Sequence, residues 1–112
     1  IDTEFGALDW DAAISMDFEP PDLDSFPCLG LAFDAGRLGE TAPAWLNGAN
    51  EAAVAAFLQG GISWRGIATA ISASLDKYDG ERADCVDAVV RADRRGRECV
   101  ETFLIDKSTK NV

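Results

Sequence analysis

Two acidic pairs near the N-terminus have spacings that could serve a metal ion. Asp17 and Glu19 form an Asp-x-Glu pair, and carboxylates so spaced can bind a divalent cation. Asp9 and Asp11 begin the alternating pattern of a calcium-binding loop, but that loop needs glycine at its sixth position, where this sequence has Ile14. We therefore interpret both pairs as ordinary solvated acids and assign no metal ligand.

The other groups that could react also lack partners. The sequence has three cysteines and no histidine, so a cysteine nucleophile would have no imidazole base. Cys85 and Cys99 fall in one predicted helix, about 21 Å apart along its axis, which is too far for a disulfide. Gly60, Gly61 and Gly66 lack the G-x-G-x-x-G order of a nucleotide loop. Cysteines without a disulfide or zinc pattern are typical of a reducing compartment, so we expect a cytoplasmic protein.

Composition indicates one small domain and excludes two classes of partner. The 112 residues are 47% hydrophobic, which is enough for one modest core. A net charge of −10 argues against nucleic acid, and we interpret the basic residues of 91–97 as a solvated helix face. No apolar run approaches the ~20 residues that span a bilayer, so we predict no membrane contact. Because the chain begins with Ile1, we expect a fragment or a processed product.

The elements that would position these groups begin with a linker. Residues 1–24 are strongly acidic, and Pro20 and Pro21 exclude a regular helix, so we predict an extended acidic linker. Apolar and polar residues alternate over residues 14–18, which favours one short strand. The rest of the chain offers no partner strand, which indicates a neighbouring domain.

From residue 25 the pattern becomes helical. We predict an all-α, small four-helix bundle over residues 25–106 and a disordered tail over 107–112. The predicted N-caps are Ser25, Thr41 and Ser63, and the fourth helix is predicted to begin at Asp84. The predicted helix stops are Gly36 with Gly39, Gly60 with Gly61, and Gly80. The residues expected to face the core are Phe26, Leu29 and Phe33; Trp45, Leu46, Ala49, Ala53, Ala56 and Phe57; Trp64, Ile67, Ile71, Ser74, Leu75 and Tyr78; and Val86, Val89, Val90, Val100, Phe103 and Leu104.

Three segments at the start of this bundle carry a resemblance to a known family. Residues 26–32 read FPCLGLA, residues 46–51 read LNGANE, and residues 54–58 read VAAFL. The chain resembles the C-terminal domain of 1-deoxy-D-xylulose 5-phosphate reductoisomerase, whose pattern is Phe-Pro-Cys-Leu-x-Leu-Ala, then Leu-Asn-Ala-Ala-Asn-Glu running into Val-x-Ala-Phe-Leu. Gly48 stands where the family usually has alanine. The resemblance covers nearly the whole chain.

The resemblance implies an enzyme whose active site lies upstream. The complete protein is expected to use NADPH and Mg²⁺ or Mn²⁺ to convert 1-deoxy-D-xylulose 5-phosphate to 2-C-methyl-D-erythritol 4-phosphate, in the non-mevalonate route to isoprenoids. Its expected partners are the NADPH-binding and catalytic domains of the same polypeptide, within a homodimer. The family's metal pair lies in Asp-Ser-Glu-His, whereas Asp17-Phe18-Glu19 matches the linker, and the family's Asn-Lys-x-x-Glu motif is absent. We therefore expect this chain to support the catalytic domain and to lack the active site.

Five polar residues are candidates for that supporting role. Asn47 and Asn50 lie three apart on an otherwise apolar helix face, and leaving a buried amide unpaired costs about 1–3 kcal/mol. We expect them, with Glu51, to hold backbone groups of the linker or the preceding helix, or else a loop of the catalytic domain. Asp93 interrupts the apolar stripe of the fourth helix, and we hypothesise that it pairs with Arg65.

Two alternatives to this interpretation stay open. The chain could be a free-standing helical interaction module derived from the same domain, with its acidic linker or a bundle face contacting another protein. An autonomous enzyme is the weaker alternative, because only carboxylates would be available as acid or base.

Overall fold

The structure, a computed structural model, describes residue 6 and residues 9–110. This part of the chain contains four α-helices and no strand, which confirms the predicted all-α fold. None of these helices is both long enough and apolar enough to cross a lipid bilayer. The helices are α1 (Pro27–Leu38), α2 (Ala42–Leu58), α3 (Trp64–Leu75) and α4 (Val86–Lys110).

The ends of α4 differ from the sequence prediction. The helix begins at Val86 rather than at Asp84. It continues past residue 106, so the expected tail is helical as far as Lys110, and residues 111–112 lie outside the described part. Cys85 precedes α4 and does not share a helix with Cys99.

Some of the predicted helix boundaries are confirmed by local hydrogen bonds and backbone angles. The Ser63 hydroxyl accepts a hydrogen bond from the Gly66 amide at 3.1 Å, as expected for an N-cap. Gly39 and Gly60, which follow α1 and α2, have φ angles of 67° and 77°. Glycine adopts this left-handed conformation without steric cost, so both residues suit helix ends.

The predicted N-cap of α1 is wrong. Phe26 occupies the cap position of α1, and its side chain makes no cap hydrogen bond. Ser25 lies in the preceding turn, where the Asp22 carboxylate accepts hydrogen bonds from the amides of Asp24 and Ser25 at 3.1 and 3.0 Å. The aspartate stabilises the turn before the helix, because its carboxylate reaches the free amides two and three residues ahead. A hydrogen bond from the Ser25 side chain, followed by these amide bonds, lowers the pKa of the Asp22 carboxyl below its usual value.

Residues 9–26 contain no regular secondary structure. The segment predicted as a strand has highly exposed side chains at Ile14, Met16 and Phe18, and the described residues offer it no second strand. Strand pairing supplied by another domain therefore stays a prediction. The first eight residues, apart from Gly6, lie outside the described part, so the predicted start of the linker does too.

Helix α2 is the centre of the bundle. It packs against α3 and, over the longest contact, against α4, whereas α1 contacts α2 and α3 but not α4 within the described residues. A small cluster of buried residues from α2, α3 and α4 forms the core. Its members are Ala49, Ala53, Ile67, Ala70, Ile71 and Val100.

Two glycines set the distance between α2 and α4. A Cβ atom built on Gly48 would overlap the carbonyl oxygen of Asp93, and one built on Gly96 would overlap the carbonyl oxygen of Trp45. The two backbones are therefore in direct contact, so the contact face of α4 consists of small residues, with Ala92 only 1% exposed.

The predicted inward faces of α1 and of the first half of α4 are wrong. Phe26 and Phe33 are 59% and 53% exposed, and α1 instead buries Ala35. On α4, Val86 and Val90 are 78% and 51% exposed. The physical reason is that the close contact with α2 accepts only alanine and glycine, which leaves the larger valines outside.

A buried hydrogen-bond cluster joins three helices. The Trp45 indole N–H of α2 donates to the carbonyl and hydroxyl oxygens of Ser74 in α3, at 3.1 and 3.0 Å. The Ser74 hydroxyl donates to the carbonyl of Gly96 in α4 at 3.3 Å. Trp45 is 3% exposed and also makes an edge contact with the Tyr78 ring at 5.6 Å. Both buried side chains are thus satisfied at the point where the helices meet.

Candidate functional site

Two of the five candidate residues, Asn47 and Asp93, meet across the contact between α2 and α4. The Asn47 amide donates to one Asp93 carboxylate oxygen at 3.1 Å, and the Arg97 guanidinium donates to the other at 2.9 Å. Partial burial of Asp93 opposes ionisation, but the bonds from Arg97 and Asn47 outweigh it and lower the pKa of the carboxyl. The same ion pair raises the pKa of Arg97.

The structure corrects the expected partners of Asn47 and Asp93. Asp93 pairs with Arg97, one turn further along α4, and not with Arg65. Asn47 bonds a side chain of α4 rather than the backbone of the linker or of α1. The close approach of the two helices explains both partners. The backbone of Asp93 contacts Gly48, and Asn47 immediately precedes Gly48 in α2.

Glu51 takes a peripheral part in this ion pair. Its side chain is exposed, one turn after Asn47 on α2. It attracts the Arg97 guanidinium electrostatically, which adds to the raised pKa of that group. Glu51 therefore acts as a neighbouring charge rather than as a clamp on the described part of the linker.

The other two candidates, Asn50 of α2 and Arg65 of α3, line a cleft that is bounded by α1, α2 and α3. The cleft has a volume of about 420 Å³, and Leu29 and Trp64 also line it. The Asn50 side chain makes no hydrogen bond with any described residue and is half-buried. The candidate residues therefore form two groups, one along the contact between α2 and α4 and one in the cleft.

A second charged cluster was not predicted from the sequence. The Arg91 guanidinium donates to the Glu81 carboxylate, with the Nε bond at 3.2 Å, and Arg95 pairs with Asp79 and Glu81. The pKa of Arg91 is raised, chiefly by its bond to Glu81. The predicted solvated face is therefore partly engaged in ion pairs. The signal in the sequence was the acidic run just before a basic helix, which indicates complementary charges.

Hydrogen bonds with residues 40 and 41 also hold the connection between α3 and α4 in place. The buried Thr41 hydroxyl donates to the Glu81 carbonyl oxygen at 2.7 Å and lies 3.2 Å from the Tyr78 hydroxyl. The Glu40 carboxylate accepts a hydrogen bond from the Ala83 amide at 2.8 Å. Thr41 stands at the N-cap position of α2, but its side chain makes no cap bond, because its hydroxyl holds the connection instead.

The side chains that could bind a metal ion are scattered among the described residues. No three histidine, cysteine, aspartate or glutamate side chains among them lie close enough to share a metal ion. Asp17 and Glu19 are exposed in the irregular segment, and the Asp9 carboxylate accepts a bond from the Asp11 amide at 3.0 Å.

Comparison with known proteins identifies the family. The sequence model of the DXP reductoisomerase C-terminal domain, where DXP is 1-deoxy-D-xylulose 5-phosphate, matches residues 2–99. The chain is 46% identical over its full length to 1-deoxy-D-xylulose 5-phosphate reductoisomerase of Cupriavidus pinatubonensis and covers 28% of that protein. It is 43% identical over 104 residues, 93% of the chain, to the same enzyme of Xanthomonas euvesicatoria and covers 26% of it. The chain thus spans about a quarter of the length of these relatives. With a family match across most of its residues and the matching all-helical fold, the chain belongs to the DXP reductoisomerase C-terminal domain family.

Proposed function

We propose that this chain is the supporting helical domain of a complete 1-deoxy-D-xylulose 5-phosphate reductoisomerase. The observation that carries the proposal is the family match over residues 2–99, combined with coverage of only about a quarter of the relatives. The complete protein converts 1-deoxy-D-xylulose 5-phosphate to 2-C-methyl-D-erythritol 4-phosphate for isoprenoid biosynthesis. In this proposal NADPH and Mg²⁺ or Mn²⁺ bind to its upstream domains, which is consistent with the lack of a cluster of metal-ligating side chains among the described residues.

The contribution of this chain is mechanical. Asn47, Asp93 and Arg97 tie α2 to α4, and the Trp45–Ser74 hydrogen bonds tie α2 to α3. A bundle held in this way gives the upstream domains a rigid surface, and catalytic groups need supports that keep them within a fraction of an ångström of their working geometry. In this proposal the complete enzyme is a homodimer, and the three free cysteines support a cytoplasmic location.

The proposal is tested on the complete coding sequence that contains this segment. Purified polypeptide is mixed with 1-deoxy-D-xylulose 5-phosphate, NADPH and Mn²⁺, and loss of NADPH absorbance is followed. We expect turnover from the complete polypeptide and none from the 112-residue chain. Replacing Asn47 by alanine in the complete enzyme is expected to lower its thermal stability and kcat while the KM for NADPH stays unchanged.

One result would refute the enzyme assignment and favour the free-standing interaction module. An antibody against the bundle would detect a native polypeptide of 12.0 kDa in the source lysate, the mass of this chain alone, instead of one several times larger. A large polypeptide without NADPH oxidation would refute the proposed activity while leaving the family membership intact.

A further inference from the structure

The outer face of α1 carries large apolar side chains that the described chain covers only in part, with the Arg37 guanidinium 5.7 Å from the centre of the Phe33 ring. Phe26, Leu29 and Phe33 are 59%, 39% and 53% exposed. At 100° per residue they fall on one side of the helix, opposite the buried Ala35. An exposed row of this kind, continuous along two turns, is typical of a surface that meets another protein segment.

The cleft beside α1 extends this surface onto α3. Trp64 is 63% exposed and stands edge-on to the Phe57 ring at 5.9 Å. Phe26, Leu29 and Trp64 line the same cleft, so the exposed apolar groups are contiguous. Asn50 supplies an amide within the cleft that no described residue bonds, and that amide can both donate to and accept from a peptide backbone.

Of the described residues before Phe26, Asp24 and Ser25 reach this surface, where they line the cleft. The hydrogen bonds of residues 9–25 are local, such as those from the amides of Asp11 to Asp9 and of Ser25 to Asp22. Ile14, Met16 and Phe18 are themselves 55%, 69% and 89% exposed. These apolar side chains of the linker are therefore not buried against α1.

We propose that the polypeptide upstream of this chain docks on the α1 face and inserts apolar side chains into the cleft, where Asn50 and Arg65 bond its backbone. This inference rests on the proposed function, because the relatives are roughly four times as long as the chain. The linker enters α1 at Pro27, immediately beside the surface, so the upstream domain is tethered there at a high effective concentration.

Cysteine labelling tests the proposal with two natural probes. Cys28 is exposed and lines the cleft, whereas Cys85 is exposed in the connection to α4, away from the α1 face. In the 112-residue chain we expect both to react with a thiol reagent such as N-ethylmaleimide at similar rates, measured by peptide mass spectrometry. In the complete polypeptide the rate at Cys28 is expected to fall at least about tenfold, with Cys85 unchanged.

Matched aspartate substitutions in the complete polypeptide identify the docking face. Phe26→Asp is expected to restore labelling of Cys28, because Phe26 and Cys28 line the same cleft and a carboxylate cannot be buried without a partner. Leu38→Asp changes a residue of the same helix that is 59% exposed but lies off the row, and it is expected to leave Cys28 protected. Equal labelling of Cys28 in the short chain and the complete polypeptide would overturn the proposal.

Two further outcomes distinguish docking of the upstream polypeptide from self-association and from the proposed reaction. Protection of Cys28 in the 112-residue chain that grows with its concentration would mean that a second copy, and not the upstream polypeptide, covers the face, which overturns the proposal. Protection in a complete polypeptide that does not oxidise NADPH would support the docking and refute only the proposed reaction. The two proposals can therefore fail independently.

Discussion

Replacing Gly96 by alanine is the sharpest test of the contact between α2 and α4. The added methyl group would overlap the Trp45 carbonyl oxygen and would also meet the Ala49 amide nitrogen at 3.1 Å. Both atoms belong to the backbone of α2, so neither can rotate away. The two helices must separate, which also disturbs the Ser74 hydrogen bond to the Gly96 carbonyl.

The expected magnitude follows from two opposing effects. Forcing an extra carbon into a close-packed contact costs about 1–3 kcal/mol, and occasionally more. Alanine in place of glycine stabilises a helix interior by up to about 1 kcal/mol. We therefore expect Gly96→Ala to lower the free energy of unfolding by up to about 2 kcal/mol, equivalent to a fall in Tm of up to roughly 16 °C.

Gly36→Ala is the matched control. Gly36 lies inside α1, and a Cβ atom built on it meets nothing within 4 Å. The same chemical change should therefore raise the free energy of unfolding by about 0.4–1 kcal/mol. Urea denaturation of the 112-residue chain, followed by circular dichroism, measures both variants. Equal stabilisation by the two substitutions would refute the backbone contact at Gly96.

Three further predictions concern polar groups. Asp93 has a lowered pKa, so its charged form stabilises the fold above its unfolded pKa of about 3.9, and this contribution is lost as the pH falls through the lower folded value. Asp93→Asn should therefore lower the urea midpoint at neutral pH and match wild type in strong acid; a deficit that persists there would contradict this. Thr41→Val should cost about 1–3 kcal/mol, because it removes the buried hydroxyl that donates to the Glu81 carbonyl, and a neutral effect on the urea midpoint would contradict the bond. Glu81→Gln should cost less than about 1 kcal/mol, since its ion pairs are partly exposed, and the difference should shrink in high salt; a larger, salt-independent loss would argue against simple surface pairing.

The sequence predicted those parts of the fold that depend on local chemistry. Ser63 caps α3 because its hydroxyl reaches an amide three residues ahead, and Gly60 follows α2 because it tolerates a positive φ. The apolar spacing of Ile67 and Ile71 likewise placed the buried side of α3. Such signals act within a few residues, so the sequence contains them directly.

The faces of α1 and α4 could not be predicted because they depend on the partner helix. Periodicity indicates that Phe26 and Phe33 share a side, but it does not say which neighbour covers that side. On α4 the predicted core face followed the larger valines. The face that contacts α2 is instead the one with Ala92 and Gly96, whose small size permits the backbone contact. The pairing of Asp93 with Asn47 depends on the same contact. The sequence therefore indicated both residues as candidates but did not predict that they bond to each other.

The contact between Gly48 and Asp93 also has a consequence for the order of folding during synthesis. These residues are separated by a long stretch of chain. Contact between them therefore costs more loop-closure entropy than contact between the consecutive helices α2 and α3. On the ribosome, α2 and α3 can pair as soon as both have emerged, but the groove beside Gly48 stays open until α4 follows. The nascent bundle therefore leaves the α2 surface around Gly48 and Ala49 uncovered until α4 has been translated and has left the ribosome.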